Sequence, residues 1–95
     1  MPKGYVIAHA TVTDPDKWAS YVAKSKIALD KYSGTPIVRG GRSEIIEGNG
    51  TARNVIIEFA SYDDAVGYAK SPEYAQAKKL REGAGSLDIT VVEGV

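Results

Sequence analysis

Apolar residues alternate with polar ones by two across Tyr5–Val12, then recur at helical spacing from Trp18 to Tyr32. Two extended stretches follow, Ile37–Glu47 and Val55–Ala60. A broken helical stretch runs from Tyr62 to Glu82, and Leu87–Val92 closes the series as a strand. The order strand, helix, strand, strand, helix, strand leaves little of the chain unassigned.

Local signals mark the boundaries. Asp14-Pro15 predicts the start of a helix over 15–32: the Asp side chain can accept from a free first-turn amide, and Pro at the first helical position lacks only an N–H that has no partner there. Gly34 is expected to stop that helix in a left-handed conformation. Ser61 and Asp64 resemble a capping box for a second helix over 62–82, which Ser71-Pro72 should break and restart. Gly48-Asn49-Gly50 predicts a hairpin turn between strands two and three, and Gly40-Gly41 predicts a bulge within strand two. Together these describe one α+β domain over residues 1–95 with a ferredoxin-like βαββαβ order, strand order 4-1-3-2, and both helical segments on one face of an antiparallel sheet.

The alternation divides the strands into two rows. Val6, Ala8, Ala10, Val12, Val55, Ile57, Phe59, Leu87, Ile89 and Val91 form an apolar row that should face the helices. The other row holds Tyr5, Ile7, His9, Thr11, Ile56, Glu58, Asp88, Thr90 and Val92. The solvent face of an antiparallel sheet is normally plainly polar. This mixed row is expected to be covered by a second copy, giving a two-fold homodimer.

Composition narrows the function classes. A chain of 95 residues buries only about 60–65% of its unfolded surface, so its core is modest. There is no cysteine, hence no disulfide or thiolate metal site to reinforce it. Twelve basic and 12 acidic side chains cancel, which gives no field to steer the chain to nucleic acid or an anionic membrane. The N-terminus lacks the apolar core of a signal peptide, and no apolar run approaches the roughly 20 residues of a membrane span. A cytoplasmic protein is expected. One histidine without cysteine points away from a metal site, and no cofactor is expected.

Three groups of residues carry candidate chemistry. His9, the sole histidine, lies on the mixed row with Glu58, so a His9–Glu58 acid–base pair is one reading and a hydrogen-bonded interface pair the other. Arg39, in Arg39-Gly40-Gly41-Arg42, can hold a carboxylate or phosphate with its planar fork, with Tyr5 nearby; alternatively the segment is a strand irregularity. Trp18 and Tyr74, with Tyr21, Tyr32, Tyr62 and Tyr68, can wall a pocket for a small organic ligand or simply fill the core. The expected function is small-molecule binding by a homodimer, extending to cofactor-independent catalysis on a small organic acid or aromatic compound. The alternative is a structural or interaction dimer with no catalytic site.

Several segments also carry a family resemblance. They are Gly4-Tyr5, Val12-Thr13-Asp14-Pro15, Val38-Arg39-Gly40-Gly41-Arg42, Val55-Ile56-Ile57-Glu58-Phe59, Ser71-Pro72-Glu73-Tyr74 through Leu80-Arg81, and Glu93-Gly94-Val95. On these the chain resembles an uncharacterised bacterial family, domain-of-unknown-function family thirteen-thirty, of the ferredoxin-like dimeric α/β-barrel superfamily. The resemblance implies the fold and the dimer. It implies no reaction, because the superfamily includes cofactor-free monooxygenases, isomerases and haem enzymes.

Overall fold

The computed structural model describes residues 2–95. Strand β1 (Gly4–Val12) leads into helix α1 (Pro15–Lys31), then β2 (Thr35–Arg39), β3 (Arg53–Phe59), α2 (Tyr62–Ala69), α3 (Pro72–Leu80) and β4 (Gly85–Glu93). All three pairings are antiparallel and the order across the sheet is β2-β3-β1-β4, the arrangement expected from the sequence.

The helix starts follow the local chemistry. Asp14 accepts from the Lys17 amide at 3.2 Å, Ser61 from the Asp64 amide at 3.1 Å, and Ser71 from the Tyr74 amide at 3.0 Å. Each satisfies a first-turn donor that the helix leaves free. Pro72 makes the break complete, so the second helical stretch is two helices. The stop after α1 differs from expectation. Ser33 takes the left-handed conformation, at φ 58°. Gly34 is needed for space instead: a Cβ there would lie 2.6 Å from Leu29 Cδ1 and 2.7 Å from the Phe59 ring.

The apolar row of β1 is buried as its alternation requires, with Val6 1% and Ala10 4% exposed. Phe59 and Val6 are the largest fully buried side chains, each contributing about 1.5–3 kcal/mol by leaving water. Above the sheet a chain of aromatic rings fills the helical layer. Phe59 meets Tyr68 at 5.2 Å, Tyr68 meets Tyr74 at 5.3 Å, Tyr74 meets Tyr21 at 6.1 Å, and Tyr21 meets Trp18 at 5.3 Å. The Tyr21 and Tyr74 hydroxyls are 2.8 Å apart and hydrogen-bond each other, so two buried polar groups satisfy one another.

The β2–β3 connection corrects the sequence reading. Strand β2 ends at Arg39, not Glu47, and residues 40–52 form an irregular loop in place of a tight hairpin at Gly48-Asn49-Gly50. The bulge lies between Pro36 and Val38, not at Gly40-Gly41. Gly40 makes the last sheet-edge bond, its amide donating to the Asn54 carbonyl at 2.9 Å. Its φ of 65° then turns the chain away, a conformation that favours glycine. Beyond it the Ile45 and Ile46 side chains stand out from the surface, 54% and 83% exposed.

Candidate functional site

Register decides which candidate residues can meet. His9 pairs across β1–β3 with Asn54, and Tyr5 pairs with Glu58. His9 and Glu58 therefore share the helix-free face but stand four positions apart, about 13 Å along the strand. The expected His9–Glu58 pair does not form. Glu58 binds the Lys3 ammonium at 3.0 Å, and that hydrogen bond holds Lys3 above its ordinary pKa.

His9 Nδ1 lies 2.7 Å from Asn54 Oδ1, and Asn54 Nδ2 donates to the Thr51 carbonyl at 3.3 Å. An amide oxygen only accepts, so in this bond His9 Nδ1 is the donor. The carboxylate across from His9 on its other side is Asp88 of β4. His9 and Asn54 border a hollow of about 390 Å³ beneath the 40–52 loop, lined also by Ser43, Glu44, Ile45, Ile46, Glu47, Gly50 and Thr51.

Arg39 does not join this group. It pairs with Val55, which itself pairs with Ala8, so Arg39 belongs to the helix-facing side of the sheet and His9 to the other. The bulge is the cause. Were Ile37 paired instead of bulged out, the Thr35–Glu58 register would run on to set Arg39 opposite Asn54, beside His9.

Trp18 and Tyr74 are each 4% exposed and packed among rings. The space between them is filled by Tyr21, so Tyr74 is a core residue and does not line the hollow beside His9. Burial, and then the neighbouring Tyr74, push the Tyr21 hydroxyl far above its ordinary pKa, and Tyr68 is raised in the same way. Both stay neutral, as core hydroxyls should.

Trp18 has a second aspect. With Val12, Pro15, Ala19, Val22, Ala23 and Arg53 it lines another hollow of about 390 Å³, between α1 and the helix-facing side of the sheet. Two hollows thus lie on opposite faces of the same sheet. Arg53 was not among the expected site residues. A signal for it exists: it has the parity of Val55, Ile57 and Phe59, so it is a charged residue on the apolar row of β3. Among the described residues no group of three or more His, Cys, Asp or Glu side chains is placed to hold a metal ion. No helix among them is long and apolar enough to cross a membrane.

Comparison with solved structures identifies the fold. A protein of unknown function from Rhodopseudomonas palustris superposes with a TM-score of 0.77 at 15% identity, covering 99% of this chain and 83% of that one. SnoaB, a cofactor-independent oxygenase from Streptomyces nogalater, superposes at 0.62 with 12% identity over 97% of this chain and 92% of its own. A dimeric ferredoxin-like protein of unknown function from Thermobifida fusca gives 0.51 at 16% identity, over 99% and 92%. At these identities the likeness shows a shared ferredoxin-like fold. No curated protein matches the sequence. The model of the family described as Domain of unknown function (DUF1330) matches residues 3–95, and the chain belongs to that family.

Proposed function

We propose that the chain binds a small organic molecule in the hollow between α1 and the sheet, and that it works as a two-fold homodimer through the opposite, helix-free face. The hollow beside Trp18 carries the ligand half of this reading. Its walls are apolar, its volume of about 390 Å³ lies in the range that small-molecule sites occupy, and the chain's own side chains leave it open. The dimer half is supported by the mixed composition of the other face, where Tyr5, Ile7 and Ile56 are half-buried and Val92 is exposed. A dimeric neighbour with this fold agrees with it.

Binding, not turnover, is what the geometry favours. The fold is shared with a cofactor-independent oxygenase. Here, however, His9 and Glu58 are too far apart to act as an acid–base pair, and Arg39 is on the other face of the sheet. The filled aromatic centre supports a second reading, a plain interaction dimer with no ligand at all.

Two measurements separate these. Light scattering at micromolar concentration should give twice the 10.1 kDa chain mass, and Ile7→Asp should reduce it to one. A monomer mass for the unaltered protein would refute the dimer. A metabolite screen should return hits that change the emission of Trp18, the only tryptophan. Filling the hollow with Ala19→Phe should abolish those hits. Hits that survive it would place the ligand elsewhere, and a screen without hits would favour the plain dimer.

A further inference from the structure

Among the described residues, Arg53 is the one charged side chain that lines the α1–sheet hollow. It is half-buried and pairs in register with Ala10, on the helix-facing side. Arg39 is on that side too, opposite Val55, which puts it diagonal to Arg53 on the neighbouring strand, about 7–8 Å away. The three ion pairs of the described residues are Lys3–Glu58, Lys26–Asp30 and Lys31–Glu73, so neither arginine forms an ion pair among them. Arg39 is exposed and stands outside the hollow, so its charge reaches the hollow only as a field; the Arg53 guanidinium fork matches the two oxygens of a carboxylate.

The rest of the hollow sets the body of the ligand. Val12, Trp18, Ala19 and Val22 offer apolar surface and no hydrogen-bonding side-chain acceptor. We propose that the hollow takes a monocarboxylate with a compact apolar body, aromatic or branched aliphatic, and that Arg53 receives the carboxylate, with Arg39 adding to the field. This rests on the binding reading above and specifies its ligand class. The arrangement disfavours a polyol or sugar, for which the walls have no partners, and a free phosphate, which would leave the apolar walls bare.

Trp18 lines the hollow and reports on it. Benzoate, phenylacetate and 3-methylbutanoate should change its emission at millimolar concentration, and the matching amides should do so far more weakly. Arg53→Gln should weaken binding of the acids about tenfold to a hundredfold and leave the amides unchanged. Arg53→Lys, which keeps the charge and loses the fork, should fall between. Arg39→Gln should weaken the acids only a few-fold. Thermal unfolding of each variant checks that it is folded, and the lysine variant keeps the test open if the glutamine variant is not. Equal binding of acids and amides, or acid binding indifferent to both Arg53 variants, would overturn the anion assignment while leaving the hollow as a site. No response to any acid or amide would overturn the assignment and the binding reading together.

Discussion

The aromatic centre and the hollow share Trp18 and are otherwise opposites. In the centre every ring meets a ring, the Tyr21 and Tyr74 hydroxyls satisfy each other, and Tyr68 is 3% exposed. At the hollow, Val22 is 42% exposed although it lies on an apolar wall, and Arg53 forms no ion pair among the described residues. The difference shows which part of the helical layer is packed shut and which part stays open. Tyr21, Tyr68 and Tyr74, which look like a pocket wall in the sequence, are used up by packing. The place that stays open is where one strand carries a cation on its apolar side.

The comparison breaks most forcefully at the centre. Phe59→Ala removes a ring that is 1% exposed and anchors the aromatic chain to the sheet. It should cost about 3–5 kcal/mol in denaturant unfolding. A loss below about 1 kcal/mol would mean that the centre is loosely packed and can itself admit a ligand.

A smaller effect tests whether the centre is polar-satisfied. Tyr21→Phe leaves the Tyr74 hydroxyl without its partner, at a cost of about 1–3 kcal/mol. Removing both hydroxyls should recover part of that loss, because no orphaned group remains. A double-mutant cycle in chemical denaturation reads the coupling, and additive losses would show that the hydroxyl bond contributes nothing.

The smallest effect is invisible at neutral pH. Burial holds the Tyr68 hydroxyl above the ordinary tyrosine value of 10.0. In the unfolded chain that proton leaves near pH 10, while the folded chain keeps it. The contribution is therefore fully present below about pH 10 and is lost as pH rises beyond it. Unfolding midpoints measured across that range should fall, and Tyr68→Phe should flatten the fall. An unchanged slope in the variant would mean that the Tyr68 hydroxyl is already wet.

Element types, their order and their starts were legible in the sequence because they depend on neighbours. Period-two and helical repeats reveal which side of an element is apolar. Asp14-Pro15, Ser61 with Asp64, and Ser71-Pro72 act on amides within one turn of themselves. Strand order followed from that pattern, and the family resemblance agreed with it. The site was not legible in the same way, because which residues meet across strands is settled by hydrogen bonds between segments far apart in the chain. His9 found Asn54, and Glu58 found Lys3, through a register that alternation alone leaves free to slide by two. A single extra residue at Ile37 moved Arg39 from the His9 face to the Arg53 face. Local sequence settles which side of a strand is apolar. Only the folded sheet, by pairing its backbones, decides which charged side chains share a face.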